Sequence, residues 1–162
     1  MLPETLKTIP VAAAIDAWDE QAIVDGKLDR GELTLEIAAA KIAAVCDLVK
    51  REHKFVRLSG ITAVDRHPAE PRFEIVYHLH AFASNQRLRL KCRAGGEKPE
   101  IGSVTGVWRN ANWYEREVFD LFGVEFRGHP DLARILMPAD WSGHPLRKDY
   151  PVHGHRYDYQ HE

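Results

Sequence analysis

The stretch FEIVYHLHAFASNQRLRLKCR, residues 73–93, contains two strand patterns separated by a short polar connection. Residues 73–82 are rich in β-branched and aromatic side chains, and residues 88–93 alternate apolar with cationic side chains, as strands with one buried face do. The connection contains Ser84-Asn85, which favours a tight turn. We therefore predict an antiparallel β-hairpin whose second strand has a cationic outer face.

Upstream of this hairpin, the pattern changes from strand to helix and back to strand. Apolar and polar residues alternate over residues 31–37, which predicts a first strand. Apolar residues at helical spacing then predict an amphipathic helix over Ala38–His53 that covers a sheet, and residues 55–62 predict another strand. This order favours an α+β fold, with a mainly antiparallel sheet and helices packed on one face.

The chain divides into three segments by pattern, and its 162 residues suit one cooperative core better than two. Residues 1–30 are weakly patterned: Pro10–Trp18 predicts a short helix, and Asp25-Gly26 predicts a turn. Residues 31–127 form the predicted α+β core domain. Residues 128–162 form a predicted extended arm.

Composition and charge argue against several classes of function. The 22 Lys and Arg residues against 24 Asp and Glu give a formal net charge of -2, whereas binding to nucleic-acid phosphates needs a clustered excess of cations. The longest stretch without Asp, Glu, Lys or Arg, residues 75–86, is far shorter than the roughly 20 apolar residues of a membrane helix. Residues 1–10 lack the pattern of a secretion signal, so we expect the chain in the cytoplasm.

The thiol and imidazole groups give little support for a metal site. Cys46 and Cys92 are far apart and have no C-x-x-C spacing, which argues against an iron–sulfur site and favours two buried thiols. His78 and His80 share one face of a predicted strand, but the sequence places no third ligand beside them. A histidine-dependent metalloenzyme, drawing on some of the nine histidines, is the alternative of a different class.

Residues 111–122 predict a helix, with Asn110 as N-cap and Gly123 in the left-handed position after its end. Its charged side chains lie outside or at the border of the apolar stripe: Glu115, Arg116, Glu117 and Asp120. Arg116 and Asp120 can pair at i, i+4. The two glutamates point about 200° apart and make a poor acid–base couple.

From Gly128 the chain reads GHPDLARILMPADWSGHPLRKDYPVHG, with four prolines six to eight residues apart. Proline at this spacing prevents long helices and pre-orders an extended chain. Such a segment cannot bury all its apolar and aromatic side chains within itself. We therefore expect the arm to lie along the core or along another protein, where aromatic residues and arginine are typical of binding hot spots.

Five motifs in this region form one specific set: Glu115-Arg116-Glu117, Asp120-Leu121-Phe122-Gly123, His129-Pro130-Asp131-Leu132, Arg134-Ile135-Leu136 and Trp141–Pro151. With them, the chain resembles the C subunit, also called the 30 kDa subunit, of the proton-pumping NADH-quinone oxidoreductase, respiratory complex I. Looser similarity extends upstream, so the resemblance covers most of residues 31–152. Ala133 is a departure, because the family usually has a basic residue or proline there.

The resemblance implies a non-catalytic scaffold subunit in the peripheral arm of that enzyme, on the cytoplasmic side of the membrane and bound to it only through the complex. FMN, the iron–sulfur clusters and quinone would belong to the assembled complex and not to this chain. The implied partners are the subunits B, D and I, of which the second carries the quinone site and the other two carry clusters. The sequence agrees in having no G-x-G-x-x-G motif, no P-loop lysine motif and no cysteine set for a cluster.

The family-signature residues are expected to serve structure or partner binding, not catalysis, cofactor binding or metal binding. They are Glu115, Arg116, Glu117, Asp120, Gly123, His129, Pro130, Asp131, Arg134, Trp141, Arg147, Lys148, Asp149 and Tyr150. Among them, Arg134 and Arg147 are predicted to make forked hydrogen bonds to carboxylates, within the chain or across to a partner.

Related assemblies share the core signature. They include membrane-bound hydrogenases, formate hydrogenlyases and the chloroplast and cyanobacterial enzymes, in which the corresponding chain is the J subunit. The free-standing length and the intact GHPLRKDYP segment, residues 143–151, favour the NADH enzyme. An RNA-binding sheet is disfavoured, because the strand around residues 91–93 lacks the aromatic pair of a stacking platform.

Overall fold

The computed structural model describes residues 4–151. The strands of its main sheet are β1 (Ile23–Asp29), β2 (Glu32–Ile37), β3 (Arg57–Asp65), β4 (Phe73–Ala81) and β5 (Gln86–Ala94). They lie side by side in the order β1-β2-β5-β4-β3. Only the β2–β5 pair is parallel in this sheet, so the sheet is mixed but mainly antiparallel.

Three helices and a small second sheet complete the described part of the fold. The helices are α1 (Pro10–Trp18), α2 (Ile42–His53) and α3 (Ala111–Phe122), with 3-10 turns at Glu4–Leu6 and Ala39–Lys41. Strands β6 (Glu100–Gly102) and β7 (Glu125–Arg127) pair in parallel. Between residues 4 and 151, no helix is long and apolar enough to span a bilayer.

One face of the main sheet carries the hydrophobic core. Leu35, Leu90 and Tyr77 lie in one row across β2, β5 and β4, and all three side chains are fully buried. Helix α2 adds four buried side chains to the same core. Helix α3 reaches it through Phe122, whose ring meets that of Phe73 edge to face, with centroids 6.4 Å apart. The predicted α+β fold with helices on one face is therefore confirmed.

The predicted hairpin is also confirmed, because β4 and β5 pair antiparallel along their whole length. The predicted turn at Asp25-Gly26 is wrong. Gly26 lies inside β1 opposite Leu35, and a Cβ atom there would come within 2.7 Å of the Leu6 side chain. The glycine is therefore required by close packing. The chain reverses at Arg30-Gly31, where both φ angles are positive, at 51° and 80°.

Strand β1 was not predicted from the weak pattern of residues 1–30. It is an edge strand with a single neighbour, and only Ile23 of its seven residues is buried. A strand so exposed does not need to alternate apolar and polar residues. At the other end of the chain, residues 128–151 contain no helix or strand, as expected for an extended arm. The division into three segments stays a prediction.

Candidate functional site

The C-terminal arm, taken here as residues 128–151, folds back onto the end of helix α3. The last carbonyls of a helix have no partner within the helix. Here the carbonyl oxygen of Asp120 accepts hydrogen bonds from Arg134 Nη1 at 3.1 Å and from His144 Nδ1 at 2.9 Å. Both donors come from the arm, and a cation near a helix C-terminus is favourable because of the helix dipole.

The next three carbonyls of the same helix end are bound in the same way. The amide of Leu146 donates to the carbonyl of Leu121 at 3.0 Å. The guanidinium of Arg147 donates to Phe122 O at 2.5 Å and to Gly123 O at 3.4 Å. The arm thus acts as the C-cap of α3, and helix and arm form one hydrogen-bonded unit.

The buried carboxylate of Asp120 fixes the middle of the arm. Its Oδ2 accepts the amides of Ile135, Leu136 and Met137 at 2.9, 2.7 and 2.8 Å, and its Oδ1 accepts Arg134 Nη1 at 2.6 Å. Burial alone would raise the pKa of Asp120, but these hydrogen bonds outweigh it and hold the pKa below its ordinary value. The carboxylate therefore stays ionised and fully bound.

The glycine after α3 is required on two grounds. Gly123 has a φ of 72°, in the left-handed region, and its amide closes the helix by donating to Phe119 O at 2.8 Å. A Cβ atom at this position would also lie about 2.5 Å from the side chains of Arg147 and His144. The predicted left-handed C-terminal glycine is therefore confirmed, and its close approach to the arm is an additional constraint.

The predicted N-cap role of Asn110 is wrong. Asn110 has helical backbone angles and makes no side-chain capping bond. Its amide group instead donates to Leu58 O at 2.9 Å, on strand β3. Tyr114 OH similarly donates to Ser59 O at 3.2 Å, so α3 covers part of the open edge of β3.

Arg116 does not pair with Asp120, contrary to the i, i+4 prediction. It donates to the arm carbonyls of Ala133 and Arg134 at 3.0 and 3.1 Å, and its guanidinium lies 5.2 Å from the centroid of the Trp113 ring. The contact at Ala133 uses the backbone, so the departure from the family pattern at that side chain leaves it intact. Arg134 takes the Asp120 carboxylate instead, which only the return of the arm makes possible.

Glu115 is buried, whereas the helical pattern left it at the border of the apolar stripe. Its carboxylate accepts the amide of Val104 at 2.6 Å and the hydroxyl of Ser103 at 2.7 Å. Burial raises the pKa of Glu115 to about 7, and the two hydrogen bonds oppose this shift. Glu117 is exposed, two positions further along the helix.

The far end of the arm is held by a charged cluster at the end of strands β3 and β4. Arg72 makes two forked pairs: Nε and Nη2 donate to Asp65 at 2.9 and 2.7 Å, and Nη1 and Nη2 donate to Asp149 at 2.9 and 2.6 Å. The amide of Lys148 also donates to Asp65 at 2.8 Å. The bond to Arg72 holds the pKa of Asp65 well below its ordinary range, although burial opposes it.

Forked arginine–carboxylate bonding was therefore predicted at the wrong residues. Arg134 meets one carboxylate through a single nitrogen, and Arg147 donates to backbone carbonyls. Arg72, which no sequence pattern singled out for this role, makes both forks. Only its partners identify it, and they lie 7 and 77 positions away in the chain.

The start of the arm is tied to α3 by His129. Its Nδ1 accepts the amide of Asp131 at 3.0 Å, so Nε2 carries the proton and donates to Asn112 O at 3.2 Å. The carboxylate of Asp131 and the ring of Pro130 are exposed. Both nitrogens of His129 are thus occupied by structural bonds, which leaves it unsuited to metal binding.

The remaining signature residues lie near the end of the described chain. Trp141 and Tyr150 are half-buried, and Tyr150 OH lies 3.5 Å from Ser142 O. The side chain of Lys148 is exposed. His153 and His155, which the metalloenzyme alternative invoked, lie outside residues 4–151. Within that range, no group of three or more His, Cys, Asp or Glu side chains is arranged to hold a metal ion.

Three large apolar side chains on this helix–arm unit face solvent. Trp113, Leu136 and Leu146 are 59%, 61% and 52% exposed. Single exposed apolar side chains are ordinary, but these three belong to a unit whose backbone is fixed by the bonds above. We define them as the apolar set of the arm, and they are the candidate contacts for a partner.

Comparison with known proteins supports this assignment. Residues 35–156, which include α3 and the arm, match the family described as "Respiratory-chain NADH dehydrogenase, 30 Kd subunit". The C subunit of the NADH-quinone oxidoreductase of Geobacter sulfurreducens is 46% identical over 134 residues, covering 82% of this chain and 83% of its own length.

Solved structures give the same result. A trypsin-resistant fragment of Nqo5 superposes with a TM-score of 0.66 at 26% identity, covering 76% of this chain and 100% of the fragment. A chain of the membrane-bound sulfane sulfur reductase, an archaeal respiratory membrane complex, superposes with a TM-score of 0.76 at 30% identity, covering 90% and 86%. With its fold, its signature residues and these matches, the chain belongs to the family of the 30 kDa subunit of the respiratory-chain NADH dehydrogenase.

Proposed function

We propose that this chain is a non-catalytic connecting subunit in the peripheral arm of a proton-translocating NADH-quinone oxidoreductase, on the cytoplasmic side of the membrane. It packs against the quinone-site subunit and the two cluster-bearing subunits named above. Those neighbours carry the electron path from NADH through FMN and iron–sulfur clusters to quinone. Relatives named as the C subunit of this enzyme support the assignment over the hydrogenase and J-subunit alternatives.

The observation that supports a connecting role most directly is the fixed arm. Asp120, Arg134 and Arg147 bind the arm backbone to the end of α3, while Trp113 and the other two members of the apolar set stay exposed. A segment ordered before binding loses little conformational entropy when it docks. The unit can therefore hold neighbouring subunits at fixed distances.

The state of the buried titratable groups supports a non-catalytic chain. The carboxylates of Glu115 and Asp120 are already bound by donors from the protein itself. Cys46 and Cys92 are buried, and burial raises the pKa of both thiols, to about 12 for Cys92. Two buried, protonated thiols do not fit an iron–sulfur cluster, which needs accessible thiolates.

Co-purification from membranes tests this proposal. The wild-type chain is expected to bring with it the flavin-bearing, cluster-bearing and quinone-site chains of one NADH dehydrogenase. A variant in which the apolar set of the arm is replaced by serine should keep its thermal midpoint but lose most of the co-purified chains. Replacing Val24 and Leu28, which are equally exposed on β1, is the matched control. Isolation of the wild-type chain alone would refute the proposal, and equal losses in both variants would count against the role of the arm.

A further inference from the structure

The face of the main sheet opposite the core carries charged side chains in register. On strand β5, Lys91 and Arg93 at one end are neutralised: Lys91 pairs with Glu74 at 2.8 Å, and Arg93 pairs with Glu36 at 3.0 Å. Glu74 is also bound by Arg66 at 3.1 Å. Opposite charges on neighbouring strands stabilise a sheet, and this end of the face follows that rule.

The other end of the same face does not follow it. Arg57 on β3, His80 on β4 and Arg87 on β5 are direct cross-strand neighbours, so three basic groups form one row; we define these residues as the basic row. Like charges placed opposite one another destabilise a sheet. At the ordinary spacing of about 4.8 Å between strands, the basic row spans about 10 Å.

Little negative charge within the chain offsets the basic row. Glu32 lies 3.9 Å from Arg87, but its closer partner is Arg89 of the next row, at 2.9 Å. Among residues 4–151, no carboxylate lies within ion-pair distance of Arg57. The side chains of Arg87 and Glu32 are 76% and 45% exposed, so water screens their interaction and it contributes little.

The surface around the basic row is concave and includes an exposed aromatic ring. A cavity of about 430 Å³ is lined by the three basic residues together with His78 and Arg89. Gly60, opposite His78, has open space where a side chain would stand. At the rim, Phe82 is 59% exposed, and its ring lies 5.0 Å from the ring of His80 and 5.9 Å from the guanidinium of Arg57.

We propose that this concavity docks a short acidic segment of a neighbouring polypeptide, with Asp or Glu side chains on the basic row and an apolar side chain against Phe82. The inference rests on the proposed function, because it needs an assembled complex. The charges argue for a polypeptide: three basic groups over about 10 Å match a few carboxylates, whereas nucleic-acid binding needs a longer basic track on a chain that is not acidic overall.

Photo-crosslinking in the assembled complex tests the inference. A benzoylphenylalanine replaces Phe82, membranes are irradiated, and the crosslinked peptide is sequenced. We expect a partner peptide with several Asp or Glu residues, with a yield that falls at least about fivefold in about 0.5 M NaCl, because salt screens the ion pairs. A crosslink to lipid, to a segment without an acidic excess, or to nothing would overturn the inference.

Charge reversal gives the second measurement. Arg57→Glu with Arg87→Glu should lower the crosslinking yield at least about tenfold. Arg51→Glu with Lys98→Glu, two exposed reversals away from this face, should leave it unchanged. Equal yields in the two variants would overturn the inference. If the wild-type chain co-purifies with its partners but gives no crosslink, the docking inference fails and the proposed function stands; if it does not co-purify, the proposed function itself fails.

Discussion

Replacing Asp120 with alanine removes four hydrogen bonds that hold the arm on α3. Three come from the amides of residues 135–137, at 2.7 to 2.9 Å, and the fourth comes from Arg134 at 2.6 Å. A neutral bond contributes about 1 kcal/mol and a bond to a charged group about 1.5 to 3 kcal/mol. The arm should therefore lose about 4 to 5 kcal/mol of docking free energy.

Because the bonds join the arm to the core, Asp120→Ala should release the arm before it unfolds the sheet. Since each 1.4 kcal/mol is a factor of ten, amide hydrogen exchange in peptides covering residues 135–137 should accelerate by up to about a thousandfold. Mass spectrometry of exchanged peptides measures this directly. Peptides from β4 and β5 should exchange as in the wild type.

The matched control is Asp131→Ala, which removes an exposed carboxylate from the same arm. It should change exchange little, because surface substitutions usually alter stability by less than about 0.5 kcal/mol. The lowered pKa of Asp120 adds a check: its contribution is full above the ordinary value of 3.8 and is lost as pH falls through the lower native value. Equal exchange of residues 135–137 in the two variants would refute the clamp.

The remaining predictions concern three other buried features. Since the pKa of Glu115 is raised from 4.5 to about 7, the folded chain keeps a proton that the unfolded chain loses, so stability should be highest below pH 4.5 and fall by up to about 3 kcal/mol as pH rises through 7. Glu115→Gln should flatten denaturant midpoints over that range, and an unchanged slope would contradict the assignment. Arg147→Glu should lower the thermal midpoint of the isolated chain, because its bonds to Phe122 and Gly123 are internal; loss of assembly alone, without destabilisation, would contradict this. Cys46 and Cys92 should resist a thiol reagent in the native chain and both react in denaturant, and modification of either under native conditions would refute their burial.

Much of the fold could be predicted from the sequence where one element meets the core along its whole length. The hairpin of β4 and β5 and helix α2 each have a continuous buried face, so hydrophobic periodicity predicted them. Strand β1 has almost no buried face and was missed for that reason. Gly26 shows the same limit, because its need for a small side chain comes from Leu6, twenty positions earlier.

The candidate site divides in a similar way. The motifs identified Asp120, Arg134 and Arg147 as important, but helical spacing assigned Asp120 to Arg116, and guanidinium chemistry assigned Arg147 to a carboxylate. The actual partners of Asp120 lie 14 to 17 positions away on the returning arm. Arg72 was not singled out for forked bonding, because one of its two carboxylates is 77 positions distant.

By itself, the sequence determined the elements with a continuous apolar face, the proline-ordered arm and the family signature. These depend on interactions between residues a few positions apart, which leave a periodic pattern in the chain. Only the tertiary structure decided which carbonyls the arm caps, which carboxylates are buried, and that Arg57, His80 and Arg87 meet in one row. Those facts depend on strand register and on the return path of the arm, where the partners of each group are set by the packing of distant segments.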